Sequence, residues 1–517
     1  MGMENDSREG PFRLERCGDL TLLRRTLEEK GYTQQAVADL VDPGSPPNPL
    51  ESVLDVTAVL RRTAGSSPLD TLIRLFVLAR PVPEEAAQAA LAPIDLEHLA
   101  AIGLLKRDGQ EVHAEAALLP FADLLLARDF WPAVTGKPRA ADYVLGVGPA
   151  TIAVANLTVR RKGEAVLDLG TGAGFLALVA AEHADRVVGT DVNLRALGIA
   201  SFNARLNGAA NVEFRPGSLF EPVRDGRFDL IVSNPPFVIS PGRTYAYRDG
   251  GMSGDAFSEQ VIRQVPAFLR EGGYSTVLFN WHHKSEADWA ERPIAWLDSS
   301  GCDAWLLCSE HADPIGYASN WLKDVATAES PGYDRLLDEW LAYYERLGIG
   351  RISAGAVILR RRSGGRNWIR CERAPPGGAT GSASDQIQRV FAAEDLLHRL
   401  ADDRELLQTS LALTPDHQLQ QVLHADRGRW SVERIELRQT RGFPFTGEVD
   451  RLTAKLLLGC DGGRPLGELV AQVAPQSESD PDQFARAAAA LIRKLLKAGF
   501  LTAAGPAQAP NPASGRS

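Results

Sequence analysis

Apolar positions recur at helical spacing over residues 13–65, where Leu20–Leu27 and Leu50–Arg62 carry the stripe. A Pro/Ser-rich stretch, Asp42–Pro49, separates the two. From Pro68 to Asp129 the pattern predicts a helix over Leu69–Ala79, a second opened by Pro83-Glu84-Glu85 and a third over Leu96–Ile102 that stops at Gly103. Leu104–Val112 then reads as strand–turn–strand with Asp108-Gly109 at its tip. Past residue 140 the period changes. Strands placed at 165–169, 187–190, 212–215, 229–233, 274–280, 304–308 and 354–360 alternate with helical stretches, which predicts a parallel, doubly wound α/β sheet of seven strands. From Gln386 onward the chain reads as α-rich, with helices over Leu452–Leu458, Leu466–Val470 and Phe484–Ala498 and a turn at Cys460-Asp461-Gly462-Gly463.

These shifts divide the chain into a disordered start (1–12), a helical N-terminal domain (13–135), an α/β domain (140–363), a Gly/Pro/Ser-rich linker (364–385), an α-rich C-terminal domain (386–504) and a disordered Ala/Pro/Gly tail (505–517). A length of 517 residues is too great for a single core and agrees with several domains.

Within the α/β region the strand Ala165–Leu169 runs into a turn with Gly170, Gly172 and Gly174, followed by an apolar helix, Leu176–Ala184. Glycines suit a backbone that approaches a ligand closely at a helix N-terminus. The next strand, Val187–Asp191, ends in an acid about 20 residues further on, where a carboxylate can take the two hydroxyls of a ribose. The strand Asp229–Val232 stops at Asn234-Pro235-Pro236-Phe237, because successive prolines cannot continue a ladder. The Asn234 side-chain oxygen and the Pro235 carbonyl can each accept one N–H of a planar –NH2 group, and Phe237 offers a flat face to stack on it. A plain Pro-Pro turn is the alternative. Gly170–Gly174, Asp191, Gly217-Ser218-Leu219 and Asn234–Phe237 each follow a strand, so all four are expected at one sheet edge.

The stretches LDLGTGAG (Leu167–Gly174), Thr190-Asp191, Phe202-Asn203-Ala204 and SNPPF (Ser233–Phe237), followed by Tyr247-Arg248-Asp249-Gly250-Gly251, resemble the class I S-adenosylmethionine-dependent methyltransferases. They are most similar to the small-methyltransferase group that includes the HemK/PrmC glutamine-amide enzymes and the RsmC ribosomal RNA guanine enzymes. The resemblance implies a seven-stranded Rossmann-like sheet. It implies that Asp168, Gly170, Thr171, Gly172, Gly174, Asp191, Val192, Ser218, Leu219 and Asn234 contact S-adenosyl-L-methionine. Asn234, Pro235, Pro236 and Phe237 become the catalytic tetrapeptide, and Tyr247, Arg248, Asp249, Gly250 and Gly251 a substrate loop. Ser218 departs from the family, which often has an acid there for the adenine amine. In the resembling families a segment like Asp142–Pro149 lies across the cofactor; here a simple linker is the other reading. The flanks, each with helices and a hairpin or turn, look like winged-helix modules.

Composition narrows the partners. A net charge of −10 and a pI near 5.5 provide no bulk attraction to nucleic acid. The helix Leu96–Ile102 carries Asp95 and Glu97 at its start and no arginine, which argues against duplex reading. Arg360, Arg361, Arg362, Arg366, Arg370 and Arg373 form the one dense basic run. Five cysteines lack any CxxC pair, and His282-His283 on a strand would face opposite sides, so no metal site is expected. His282 could still serve as a general base. Trp321, Tyr333, Trp340, Tyr343 and Tyr344, within a long connection at 311–350, read as the core of an inserted helical pair or as a substrate-facing wall. No apolar run reaches membrane-spanning length, and the polar start lacks a signal-type segment, so a cytoplasmic protein is expected.

The reading that combines these is an N-methyltransferase acting on a planar NH2 of a macromolecule, a glutamine-type amide of a protein or peptide first. An exocyclic amine of RNA or DNA is the alternative. A DNA-binding winged-helix regulator with a sensor domain is the reading from another class.

Overall fold

The computed structural model describes residues 10–43, 54–242, 244–323, 330–426, 428–477 and 480–503. Residues 1–9 of the expected disordered start (1–12), the tail 505–517 and most of the Pro/Ser-rich stretch lie outside these residues, whereas Phe12 is ordered, buried and stacked on Phe202. The chain forms two compact units, one of residues 1–155 and 160–374, the other of 156–159 and 375–517.

The first unit is built on an eight-stranded sheet. Its strands are β1 (Glu164–Leu169), β2 (Ala184–Asp191), β3 (Val212–Pro216), β4 (Phe228–Ser233), β5 (Leu269–His283), β6 (Cys302–Ala312), β7 (Arg351–Arg361) and β8 (Ile369–Arg373), in the order β8-β6-β7-β5-β4-β1-β2-β3. β1 to β5 pair in parallel. Right-handed crossovers require a helix between each pair. Three of these are α1 (Phe175–Ala181), α2 (Leu194–Leu206) and α3 (Ala256–Phe268). Val166, Leu167, Leu230, Ile231 and Val277, from the three central strands, are buried, as both faces of a covered parallel sheet require.

Two expectations are corrected. The sheet is mixed: β7 runs antiparallel to both β5 and β6. The connection from β6 does not cross over. It leaves at Ala312, folds as α4 (Pro314–Leu322) and α5 (Tyr333–Leu347), and re-enters at Arg351 beside His283. The inserted pair therefore stays at the carboxyl ends of the strands. The stretch 364–385, expected as a linker, contributes an eighth strand, β8, parallel to β6. Its sequence, Ile369-Arg370-Cys371-Glu372-Arg373, is half-buried and mostly polar, so hydrophobic patterning does not reveal it.

Residues 10–128 belong to the same unit as the sheet. The helices fall at Thr21–Glu29, Gln34–Val41, Val56–Arg62, Pro68–Phe76, Glu84–Leu91 and Leu96–Ala101. The hairpin Leu105–Asp108/Glu111–Ala114 gains a third strand from Val82–Pro83. A second hairpin, Ala117–Phe121/Leu124–Arg128, docks on α2 by an unusual device. Asn203 Oδ1 accepts from Ala127 N at 2.7 Å and its Nδ2 donates to Ala127 O at 3.0 Å. Asn207 does the same for Leu125, at 3.0 and 2.8 Å. Four helical residues advance about 6 Å and two strand residues about 6.6 Å, so asparagines one turn apart match alternate strand residues. The two side chains thus satisfy backbone groups that an edge strand would leave open.

The second unit carries the helices Ser384–Arg399, Asp403–Leu407, Arg451–Gly459, Leu466–Val473 and Pro481–Lys497. It also holds a three-stranded sheet (Ser410–Leu413, Asp461–Pro465, Leu501–Ala503) and a long hairpin, His417–Asp426/Arg429–Gln439, extended by Thr446–Glu448. The α-rich expectation missed these strands because most of the hairpin is exposed and its two-residue apolar period is short, confined to the buried Ile435 and Leu437. Leu411, Leu457, Leu466, Ile492, Leu496 and Leu501 fill the core.

Gly355 sits on β7 opposite Cys308, beside the bulge at Ser309 where the β6–β7 register shifts. A Cβ there would collide with the Leu307 carbonyl oxygen. Gly355→Ala is expected to lower unfolding stability by about 2–3 kcal/mol, read as a shifted denaturation midpoint. An unchanged midpoint would show that β6 can move aside freely.

Candidate functional site

The four strand-end stretches meet as the sequence requires. A cavity of about 340 Å³ opens at the carboxyl ends of β1, β2, β3 and β4, within the size range of small-molecule sites. Gly170, Thr171, Gly172, Asp191, Val192, Ser218, Leu219, Asn234, Pro235 and Pro236 line it. From the loop after β4 it takes Tyr247, Asp249 and Gly250.

One buried carboxylate sets the glycine turn. Asp168, with no exposed surface, accepts the Thr171 hydroxyl at 2.6 Å and the Ala177 N–H at 3.0 Å on Oδ2, tying the turn to α1. Gly170, Gly172 and Gly174 all have positive φ, a region that costs other residues strain. The turn then pairs with β2: Gly170 N and Thr171 N donate to Thr190 O, and Gly172 N donates to Asp191 Oδ2 at 2.9 Å. Asn193 N donates to Asp191 Oδ1 at 2.9 Å. Each Asp191 oxygen therefore keeps a lone pair for a hydroxyl in the cavity. Burial raises the Asp191 pKa, against the hydrogen bonds that lower it. Asp168 is pushed up to about 7, by burial above all, with the nearby Asp191 charge adding to it.

At the far side Asn234 is oriented by a residue that sequence reasoning missed. Its Nδ2 donates to the Thr151 hydroxyl at 2.9 Å, which leaves Oδ1 as the acceptor on the cavity side. Thr151 lies on the helix Pro149–Leu157, just past the Asp142–Pro149 segment, and Tyr143, Val144, Leu145 and Gly146 of that segment line the cavity. A hydroxyl on a helix face close after a glycine-rich stretch was the available signal. Phe257 and Val261 of α3 also line the cavity and were not anticipated. Leu219 adopts φ 48°, a strained conformation for a branched side chain that is typical of ligand walls.

Other expected residues lie elsewhere. Phe237 is not among the lining residues; it packs edge-on against Trp321, with ring centroids 6.4 Å apart, on the core of α4 and α5. That core takes Tyr317, Trp340, Tyr343 and Tyr344, so the aromatic series is packing. Arg248 is 4% exposed and ion-paired to Asp249 at 2.9 Å. Asp249 also accepts from Ser240, Thr244 N and Tyr245 N, which gathers these residues around one carboxylate. Asp168, Gly174 and Gly251 are likewise not among the lining residues. Gly250 has a steric reason: a Cβ would lie 2.7 Å from the Pro236 carbonyl and 2.7 Å from the Phe257 ring. The two histidines do face opposite sides. His283 bonds Ser353 Oγ and Ser285 O, whereas His282 lies 3.5 Å from Asp255, itself held by Arg292. Neither lines the cavity. Burial lowers the His282 pKa. Among the described residues no three His, Cys, Asp or Glu side chains are grouped to hold a metal ion, and no helix is long and apolar enough to cross a membrane.

A mixed sheet in this order, with a glycine turn after β1, an acid after β2 and Asn-Pro-Pro after β4, defines an α/β Rossmann-like methyltransferase of class I. A family model described as methyltransferase small domain matches residues 148–291. Two others, each described as a domain of unknown function (DUF7059 and DUF7782), match residues 54–115 and 388–503. A release factor glutamine methyltransferase of Cereibacter sphaeroides is 32% identical over 231 residues, 41% of this chain and 74% of that protein. A namesake from Geobacter sulfurreducens is 41% identical over 127 residues, 22% of this chain and 44% of the relative. A ribosomal protein uL3 glutamine methyltransferase of Bradyrhizobium diazoefficiens is 32% identical over 165 residues, 29% of this chain and 51% of the relative. The chain belongs to this family of HemK/PrmC-like, S-adenosylmethionine-dependent small methyltransferases. It spans about half the length of the latter two relatives.

The lining residues fit that cofactor: Asp191 has lone pairs for two ribose hydroxyls, and Val192, 62% exposed, offers an apolar flank for the adenine beside Leu219.

The Asp168 carboxyl gives a test of the turn. In the unfolded chain it loses its proton around 3.8, in the folded chain only near 7. Between these values the folded state holds the extra proton, so this group's effect on stability worsens as pH rises from about 4 to 7. Asp168→Asn removes that dependence. Its melting temperature is expected to gain several degrees on the wild type between pH 5.5 and pH 8; a gap independent of pH would overturn the assignment.

Proposed function

We propose that the chain methylates the side-chain amide nitrogen of a glutamine in a protein, using S-adenosylmethionine. The observation that carries this reading is the fixed acceptor pair at the cavity edge. Asn234 presents Oδ1 because Thr151 holds its amide nitrogen, and the Pro235 carbonyl lies one residue on. Two acceptors so placed suit the two N–H groups of a primary amide.

The cofactor supplies an electrophilic methyl group. The chain's own residues do the rest. Gly170–Gly172 and Asp191 form one half of the cavity, and Asn234 with Pro235 forms the rim where the amide docks. Asn234 Oδ1 and Pro235 O accept the two N–H bonds and turn the nitrogen lone pair inward along the line of attack. Those acceptors also favour the positive charge that grows on nitrogen as the new bond forms. The nitrogen then sheds one proton to solvent through the same rim. Tyr143 and Tyr247, with ring centroids 6.1 Å apart, flank the cavity and exclude water from it. Rate in this reading comes from alignment, with no strong base required. The position of His282 off the cavity wall agrees with that.

A protein substrate is favoured over RNA by the state of the basic run. Arg360 and Arg362 pair with Asp303, Arg370 with Glu372 and Arg373 with Glu286, while Arg361 donates to Ser300 O. Those cations have little charge to give a phosphate backbone. The relatives named for glutamine methylation of release factor and of ribosomal protein uL3 support the same class. We read the flanking regions, which the sequence likens to winged helices, as docking surfaces for that protein, and the cytoplasm as the compartment.

Asn234→Ala is expected to lower kcat for methyl transfer by at least about 100-fold while S-adenosylhomocysteine still binds, measured by radiolabel transfer and calorimetry. Full activity in that variant would end the reading. Thr151→Val should lower kcat roughly 10-fold and Thr151→Ser restore it, since only the hydroxyl orients Asn234; equal rates in all three would remove Thr151 from the argument. Transfer of label to lysate that nuclease removes and protease does not would replace the glutamine with a nucleobase.

A further inference from the structure

The matched methyltransferase segment begins at residue 148, yet an arginine upstream of it, itself not among the lining residues, packs without an ion-pair partner behind two residues that are. Arg128 ends the second N-terminal hairpin, the strand that Asn203 and Asn207 staple to α2. It is 3% exposed, and its Nε and Nη2 atoms are buried without a hydrogen-bond acceptor. The guanidinium lies over the Trp131 ring at 3.7 Å. Its stem runs along Gly146, where a Cβ would collide with the Arg128 Cδ, and its charge acts on Tyr143. Gly146 and Tyr143 both line the cavity.

The adjacent carboxylate does not serve it. Asp129 is bound to Arg195 at 2.5 Å and accepts Val144 N at 2.8 Å. Burial pulls the Arg128 pKa down to about 10, so the group remains cationic at neutral pH. A buried cation with unsatisfied donors is costly, and such a cost is kept where a ligand removes it.

The cavity says which ligand group this is. Were the ribose held at Asp191, the adenine beside Val192 and Leu219 and the transferred methyl at Asn234, the amino-acid tail of S-adenosylmethionine would be left the remaining lining, to which Tyr143–Gly146 belong. That tail bears a carboxylate. The glycine turn has few donors for it: Gly170 N and Thr171 N are spent on Thr190 O, Gly172 N on Asp191, Gly174 N on Thr171 O, and the Thr171 hydroxyl on Asp168. We propose that Arg128, from outside the methyltransferase segment, binds the carboxylate of the cofactor's amino-acid tail. Gly146 is glycine because the stem of Arg128 occupies the space of a side chain. Cofactor binding thereby depends on the N-terminal hairpin being docked.

This rests on the S-adenosylmethionine reading above, and one experiment separates the two. Binding of S-adenosylmethionine and of decarboxylated S-adenosylmethionine, which keeps the amine and lacks the carboxylate, is measured by calorimetry on the full chain. The wild type is expected to favour the carboxylated form by about 10- to 100-fold, the range for a charge-assisted hydrogen bond. In Arg128→Met the preference should fall to within about 3-fold, with the affinity for the decarboxylated form kept. Equal affinity of the wild type for both compounds overturns the proposal and leaves the cofactor reading standing; binding of neither overturns the cofactor reading itself. An Arg128→Met chain that keeps the wild-type preference, or loses both ligands alike while folded, assigns Arg128 to packing. Should that variant not fold, Gly146→Ala, which pushes the same stem, is measured in its place and is expected to lose affinity for the carboxylated form alone.

Discussion

The site depends on one buried carboxylate. Asp168 stands at the end of β1 with no exposed surface and holds two donors, the Thr171 hydroxyl and the Ala177 N–H, on a single oxygen. Those two contacts set where the glycine turn leaves the strand and where α1 begins. The turn so fixed is hydrogen-bonded to β2 at Thr190 and Asp191. Once Asp168 is placed, the position of Asp191 and the floor of the cavity follow. The carboxyl is costly at this depth, which is why its proton is held to about 7.

The opposite wall obeys a different constraint. Pro235 and Pro236 end β4 because neither can donate to a neighbouring strand, so the chain must turn out over the sheet edge. The exit would be loose were it not packed from three sides. Thr151 fixes the Asn234 amide, Gly250 comes against the Pro236 carbonyl, and Phe237 is held edge-on by Trp321. The antiparallel β7 makes the last contact available. By returning beside β5 it keeps α4 and α5 above the strand ends, where Trp321 meets the turn.

The N-terminal hairpin is joined to the same site through side-chain amides. Asn203 and Asn207 imitate a neighbouring strand for Leu125 and Ala127, and Asn203 also reaches Ala173 O of the glycine turn at 2.9 Å. A single residue therefore bridges the N-terminal region and the cofactor turn. The Phe-Asn-Ala stretch that looks like a family signature in the sequence has this packing role.

By itself the sequence determined what depends on local backbone chemistry. The parallel strands β1, β2, β4 and β5 carry apolar runs, and the turns after β1 and β4 need glycine or proline at fixed places, so Gly170–Gly174, Asp191 and Asn234–Pro236 were legible together with the family. Tertiary structure decided what depends on partners distant in the chain. β8 carries no apolar period and the long hairpin of the second unit only a short one at Ile435 and Leu437, because neither is buried along a full face. The direction of β7 is set by where its connection packs, and a strand reads alike in both directions. Arg248 and Phe237 suggest substrate contact from their position after a catalytic turn, yet Asp249 and Trp321 claim them. Thr151 meets Asn234, and Arg128 meets Gly146, only because distant elements bring them together. A hydroxyl or guanidinium acquires its role from the group it faces, and no spacing along one chain specifies that.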